Sequence, residues 1–148
     1  MTNDPIYEEQ LALLAKQDFS RPSLTLTVPG NVNAIDRFQR AAYFMSVLPE
    51  PEGERQAVAN LISVVRNCSV PFGAPYGSFG VYNTEYRTVM NLSTCRYYFE
   101  LTTSPNVVWA DLHRFDLAPG APVMALDPDY IELSGNVSGQ STPIPVPF

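Results

Sequence analysis

The order of helical and strand patterns in this chain predicts an α+β fold. Three segments with apolar residues at helical spacing come first, and strand-like alternation follows between Tyr86 and Ala110. The tail, 118–148, is rich in proline, which limits regular structure there to short pieces such as Tyr130 to Leu133. Helices followed by a run of strands are typical of α+β proteins, and 148 residues suit one domain.

The first helix is predicted to begin at Asp4-Pro5 and to end near Gln17. Asp4 is the expected N-cap, because aspartate caps helices well and proline is favoured at the first helical position. The stretch 18–30 contains two prolines and a glycine around the apolar run from Leu24 to Val28. This pattern indicates an extended connector or an edge strand.

Two further helices are predicted from capping residues and breakers. The second begins near Asn31 or Asn33 and runs to about Leu48, where prolines follow. The third runs from about Glu52 to Cys68 and ends before a proline and a glycine. Four apolar residues form the predicted buried stripe of this third helix: Val58, Leu61, Ile62 and Val65.

The strand region predicts an antiparallel meander of three strands. It follows a loop rich in glycine, proline and tyrosine, 72–82. Residues 86–91 follow the two-residue alternation of a β-strand, in which successive side chains point to opposite faces. Two later segments, 97–101 and 106–110, are dense in aromatic and β-branched residues. Turn-prone residues separate the three segments, as expected for consecutive antiparallel strands.

Charge and hydropathy exclude some classes of function. Nine basic residues against fifteen acidic ones give a net charge of −6, with Lys16 as the single lysine, so no nucleic-acid partner is expected. No apolar run approaches the roughly 20 residues that span a bilayer, so no membrane partner is expected either. The opening residues lack the pattern of a signal peptide, and the localisation of this chain is therefore left open.

The cysteines and the histidine do not predict a metal site. Cys68, Cys95 and His113 have no partners at ligand spacing, and we expect no metal and no cofactor. The two cysteines can form a disulfide or remain buried free thiols, and the free thiols are the preferred interpretation. His113 lies in a polar stretch and is expected to be exposed.

Several aromatic residues of the strand region could line a pocket for a substrate. Aromatic side chains on strands usually belong to the core, and this is the expectation here. The residues are Tyr82, Tyr86, Tyr97, Tyr98 and Trp109.

Arg37 is the most informative charged residue of the second helix. It precedes an apolar row on its helix. An arginine that points inward must either form an ion pair with a carboxylate or line a functional site, and both of these roles remain open. Asp36 and Arg40 are spaced i,i+4 and are expected to pair on a solvated face. The two apolar rows of this helix are Ile35, Phe38, Ala42 and Met45, and Ala41, Phe44 and Leu48.

Two segments resemble a known enzyme family. Thr2-Asn3-Asp4-Pro5 and DRFQRAAYF, residues 36–44, are similar to segments of linear amide C-N hydrolases of the choloylglycine hydrolase and penicillin V acylase kind. The resemblance continues through RQAVANLISVVRNCSVP, TEYRTVMNLSTCRYYFE and PNVVWADL, and points to the Gram-negative penicillin V acylase-like branch. It implies an αββα N-terminal-nucleophile hydrolase sandwich, of which residues 1–148 are the C-terminal portion.

The same resemblance implies that Asn3 and Arg37 belong to an active site. The family cuts amides with an N-terminal cysteine whose own α-amino group can serve as base. Asparagine can hold the amine or the developing oxyanion, and arginine can hold the thiolate. No cysteine stands at the start of this chain, and neither Cys68 nor Cys95 is placed to become a free N-terminus. The nucleophile is therefore expected in an N-terminal half.

The expected function is that of the C-terminal portion of a hydrolase acting on amides such as penicillin V, conjugated bile acids or acyl-homoserine lactones. The chain alone is expected to be inactive, and to need the missing half or to self-associate through exposed strands. The intact Gram-negative-type enzyme would be periplasmic or secreted. The alternative is a stand-alone binding or assembly protein that retained part of the scaffold.

Overall fold

The computed structural model describes residues 4–127, 129–130 and 132–145. They fall into two compact units, Met1–Thr84 and Glu85–Phe148. The described part of the first unit holds three α-helices, and that of the second holds two β-sheets. The predicted α+β class is confirmed. No helix in the described residues is long and apolar enough to cross a bilayer.

Helix α1 spans Tyr7–Leu14 and starts later than predicted. Its N-cap is Ile6, which makes no side-chain capping bond, so the expectation that Asp4 caps this helix is wrong. The main-chain carbonyl of Asp4 instead accepts a hydrogen bond of 2.9 Å from Nε2 of the buried Gln10. This contact holds the chain ahead of the helix against its first turn. At the other end, tighter i→i−3 bonds continue as far as Gln17.

Helices α2, Ala34–Ser46, and α3, Glu54–Asn67, confirm the two later helix predictions. Of the two predicted starts for α2, Asn33 is the right one, because its side chain accepts a bond of 2.9 Å from the backbone N–H of Asp36. This is the usual N-cap geometry, in which a side-chain oxygen satisfies a first-turn donor. Cys68 is the C-cap of α3.

The buried faces of these helices differ in detail from the predicted stripes. Met45 is 48% exposed, whereas the polar Gln39, which belongs to neither predicted row, is 5% exposed. Tyr43 is buried because the rings of Phe19 and Phe44 pack on it edge-on at 5.0 and 5.1 Å. On α3, Val58 and Val64 are buried, and the other three predicted stripe residues are half-buried.

The connector between α1 and α2 contains a turn at Leu24 and Thr25 and no β-strand. The edge-strand alternative is therefore wrong, since Leu24 is fully exposed and does not pack on a sheet. After α3 the chain forms a short hairpin, Pro75–Val81, closed by an antiparallel bridge between its two end residues. Its tip is a 3₁₀ turn at Gly77–Phe79.

The predicted meander is confirmed in the second unit. Strands β1, Tyr86–Asn91, β2, Arg96–Leu101, and β3, Val108–Asp111, pair antiparallel in sequence order. A two-residue strand, β5, Gly135–Asn136, adds parallel to β3 and completes a four-stranded sheet. Gly135 has φ +69, and an added Cβ would lie 3.7 Å from the Trp109 ring.

The proline-rich tail contributes a second, two-stranded sheet. It pairs β4, Val123–Ala125, with β6, Thr142–Ile144. Pro143 is tolerated in β6 because the strand lies at a sheet edge, where no partner needs its missing N–H. The predicted piece Tyr130 to Leu133 is wrong in its described residues, which form turn and coil, and Ile131 lies outside the described residues.

Candidate functional site

Arg37 lies on the first turn of α2, and its guanidinium is held by two neutral oxygens. Nε donates to the main-chain carbonyl of Val32 at 2.9 Å, and Nη2 donates to the hydroxyl of Tyr76 at 3.3 Å. Within the described ranges no carboxylate pairs with this arginine. The structural ion pair, one of the two alternatives, is not formed there.

Both acceptors of Arg37 line an open cleft of about 550 Å³. Asp4, the segment from Asn31 to Ala34 and the residues from Pro75 to Phe79 form its wall. The start of α2 and the hairpin therefore meet around one cavity, and Arg37, which is not itself a lining residue, binds two residues of its wall. A cationic side chain in contact with the wall of a cleft favours an anionic or strongly polar ligand.

Asn3, the second predicted active-site residue, lies outside the described residues. Its neighbour Asp4 lines the cleft. The structure therefore does not place Asn3 relative to Arg37, and its role stays a prediction.

Arg40 and Asp36 do not pair with each other, so the predicted surface ion pair is wrong. Arg40 donates from Nη1 to the carbonyls of Pro29 and Asn31, at 2.8 and 3.1 Å, and from Nε to the carbonyl of Asn67 at 3.3 Å. Asp36 accepts from the backbone N–H of Asn31 at 3.0 Å. Main-chain N–H and C=O groups near helix ends lack partners within the helix. Here they form hydrogen bonds with the side chains of Arg40 and Asp36, which therefore do not pair with each other.

Cys68 and Cys95 are both free and half-buried, which confirms the free-thiol interpretation. Burial raises the pKa of the Cys68 thiol, and the nearby guanidinium groups of Arg40 and Arg37 oppose this shift. A thiol with a raised pKa is protonated at neutral pH and is a weak nucleophile. The electrostatics of Cys68 therefore do not support a catalytic role.

The remaining candidates lie away from the cleft. His113 is exposed, as expected, and the described residues contain no group of three or more potential metal ligands. Tyr82 and Tyr86 are 54% and 57% exposed, so the expectation that they belong to the core is wrong. Tyr97, Tyr98 and Trp109 are half-buried.

Tyr76 is the residue of the cleft that sequence reasoning missed. It lies in a loop with no periodic pattern, and nothing in the sequence links it to Arg37, 39 positions away. The only available signal is its place next to Gly77 in a Pro-Tyr-Gly triplet, which indicates a tight turn.

The second unit has a cavity of its own, of about 470 Å³. Residues of β2, the loop between β2 and β3, β3 and the tail line it, and most of its surface is apolar. No predicted site residue belongs to it.

Comparison with known proteins identifies the family of the chain. Residues 1–133 match the model of the linear amide C-N hydrolases, choloylglycine hydrolase family. A penicillin V acylase from Pectobacterium atrosepticum is 32% identical over 160 aligned positions, which cover 97% of this chain. The chain belongs to the choloylglycine hydrolase family of linear amide C-N hydrolases.

Solved structures agree with this assignment. The penicillin V acylase from Agrobacterium tumefaciens has a TM-score of 0.80 and 33% identity over 98% of this chain. A conjugated bile acid hydrolase from Clostridium perfringens, 15% identical over 78% of the chain, has a TM-score of 0.63 and shares the fold. The alignments cover 42% of the Pectobacterium protein, 47% of the Agrobacterium chain and 41% of the Clostridium chain. The chain thus spans less than half the length of these relatives.

Proposed function

We propose that this chain is the C-terminal portion of a hydrolase that cleaves linear amides with a terminal cysteine supplied by residues outside it. The observation that carries the proposal is the family match over residues 1–133, which includes Arg37 beside an open cleft. The substrates are acylated amides of the kinds named in the relatives, penicillin V and conjugated bile acids, or acyl-homoserine lactones.

Arg37 is proposed to hold the thiolate or the developing oxyanion of this reaction. A guanidinium next to a thiol favours the ionised form and lowers its pKa, which makes the sulfur a better nucleophile at neutral pH. Two of its three nitrogens already bind protein oxygens, and this fixes the plane of the group. Fixed positive charge stabilises a transition state without reorganisation during the reaction.

Asn3 is proposed to donate from its side-chain N–H to the oxyanion, or to accept with its side-chain oxygen from the N–H of the terminal amine. An amide changes no charge, so it can serve throughout the catalytic cycle. If it holds the oxyanion, Asn3→Ala should reduce turnover about 100 to 1000-fold in an intact enzyme. A turnover equal to that of the parent would contradict a catalytic role for Asn3.

The nucleophile is proposed to lie in the part of the relatives that this chain does not cover. Cys68 follows a helix and has a raised pKa, and Cys95 lies in a β-turn with φ +51. Neither has an α-amino group to act as its base. The same uncovered part would supply the partner surface that the isolated chain lacks.

Complementation tests the proposal. The chain would be co-expressed with the part of the Agrobacterium tumefaciens penicillin V acylase that it does not cover, and hydrolysis of penicillin V, a glycine-conjugated bile acid and an acyl-homoserine lactone would be measured. We expect activity from the pair and none from the chain alone. Changing the terminal cysteine of the added half to serine should abolish turnover, whereas Cys68→Ser with Cys95→Ser should preserve it.

Arg37 variants give the matched comparison. Arg37→Ala should lower turnover about 100-fold or more by removing the charge, and Arg37→Lys should retain part of it. A well-folded complex with no hydrolysis of any of the three substrates would contradict the proposal and favour a non-catalytic binding or assembly protein.

A further inference from the structure

We propose that Tyr76 is a positioning residue that holds the Arg37 guanidinium at the cleft. The effect of Tyr76 on catalysis rests on the proposed function, whereas its contact with Arg37 does not. Its basis is a contact between two side chains 39 positions apart, the hydrogen bond of 3.3 Å from Arg37 Nη2 to the Tyr76 hydroxyl.

The two contacts of Arg37 restrain different parts of the guanidinium. The bond from Nε to Val32 is local, five positions along the chain, and fixes the inner edge of the group. The bond to Tyr76 comes from the hairpin and fixes one of its two outer nitrogens. Nη1 makes no hydrogen bond to the protein within the ranges that the structure describes. The arrangement leaves one donor nitrogen for an anionic group such as a thiolate, an oxyanion or a carboxylate.

Tyr76 is itself held in place by its hairpin. Its backbone N–H donates to Gly80 at 2.7 Å, and its carbonyl accepts from the Phe79 N–H at 3.1 Å. Its ring is 6.0 Å from that of Tyr82 and 6.4 Å from that of Phe79. A side chain anchored at its backbone and its ring can hold a long, flexible arginine at little further loss of entropy.

The hairpin needs left-handed backbone at two glycines to present Tyr76 in this way. Gly77 has φ +56 and Gly80 has φ +75, a region that residues with a Cβ adopt with strain. The Gly80 carbonyl closes the loop through its bond to Tyr76. The turn geometry and the position of the hydroxyl are therefore linked.

The chain provides a close matched control for removal of the hydroxyl. Tyr76→Phe removes the acceptor and keeps the ring contacts. Tyr82→Phe removes a hydroxyl from the neighbouring ring, which is 54% exposed and does not line the cleft. The two variants differ in whether the lost hydroxyl binds Arg37.

The first test measures Arg37 directly in the 148-residue chain. The Nε–Hε resonance of Arg37 would be assigned by its loss in Arg37→Lys, and its ¹⁵N–¹H NOE and hydrogen exchange rate would be recorded. In Tyr76→Phe we expect a lower NOE and an exchange rate raised about fivefold, which corresponds to the loss of one weak charge-assisted bond. Tyr82→Phe should match the parent. Equal values in Tyr76→Phe and the parent, or equal losses in both variants, would overturn the proposal.

The second test uses the complemented enzyme. Tyr76→Phe should lower kcat about fivefold with KM nearly unchanged, because the hydroxyl orients a catalytic cation and is not proposed to contact the substrate. Tyr82→Phe should retain the parent kcat. If Arg37→Ala abolishes turnover while Tyr76→Phe leaves kcat unchanged, the positioning role fails and the proposed function stands. If the complex hydrolyses none of the substrates, the proposed function fails. The NMR measurement then decides by itself whether Tyr76 holds Arg37.

Discussion

Arg87 Nη1 lies 2.9 Å from Glu100 Oε2, between directly opposed positions of β1 and β2. The two side chains are 18% and 6% exposed, so the pair is largely removed from water. Charges in such surroundings depend on each other, because removing one leaves the other desolvated without compensation. Substitutions at Arg87 and Glu100 therefore test whether this ion pair stabilises the four-stranded sheet.

Breaking this pair should destabilise the second unit. Arg87→Leu is expected to lower the free energy of unfolding by about 3 kcal/mol, since it removes the cation that lies 2.9 Å from a nearly buried carboxylate. Arg87→Leu combined with Glu100→Leu should recover most of the loss, because no charge then remains. Urea denaturation measures the free energy of unfolding of the single and the double variant. Arg114→Leu is the control, because this arginine is exposed. A loss below about 0.5 kcal/mol in the single variant would contradict this account.

A side chain at the uncapped N-terminus of α3 should stabilise the first unit. Gly53 is the N-cap, its backbone is extended at φ 176, and no atom lies within 4 Å of an added Cβ. Gly53→Ser is expected to raise the free energy of unfolding by about 0.5 kcal/mol, by capping the first turn and by restricting the unfolded chain. Thermal melting measures the gain.

The control for the cap is Gly30→Ser, at a position that also has open space but does not cap a helix. An equal gain in the two variants would show that capping contributes nothing.

The Cys68 thiol should make stability fall at alkaline pH. Its pKa is raised in the folded chain, mainly by burial, whereas an unfolded thiol titrates near about 8.5. The folded state therefore retains a proton that the unfolded state releases, and unfolding becomes easier as the pH rises above about 8.5, until the folded pKa is reached. Urea midpoints at several pH values from about 7.5 to 10 would show the decline.

Cys68→Ser should remove this part of the decline, and Cys95→Ser should retain it. A decline of the same size in the parent and in Cys68→Ser would assign the effect to other groups.

The isolated chain should self-associate through the outer face of β1. Tyr86 and Met90 lie on one face of this strand and are 57% and 61% exposed, and Tyr86 stacks on Phe99 at 5.5 Å. In the described sheet β1 is also an edge strand, which presents unpaired backbone groups. Sedimentation equilibrium at several concentrations should detect dimers or larger species, with strong ANS binding.

Tyr86→Ser combined with Met90→Ser should shift the chain toward monomer. Leu92→Ser, at an 82% exposed turn residue, should not. A parent chain that is monomeric and does not bind ANS at any concentration would contradict the proposal that another part of the enzyme covers this face of β1. It would favour a stand-alone protein.

The sequence by itself determined the order and type of the main elements. Helices α2 and α3 and the meander β1 to β3 were predictable because their signals are local: an asparagine cap, prolines after a helix, and alternation along a strand. The family was predictable for a related reason, since the similarity extends along the chain and depends on no single contact.

Tertiary structure alone decided which side chains are buried and which partners the charged groups take. Gln39 is buried and Met45 exposed because packing, and not spacing alone, selects the inner face. Arg40 binds main-chain carbonyls from three different positions and not Asp36, because helix and loop ends brought together in the fold leave polar groups that must be satisfied.

Tyr76 became a candidate only when a hairpin without periodic pattern placed its hydroxyl at Arg37. Contacts between side chains far apart in sequence depend on the geometry of the folded chain, which a local pattern does not contain.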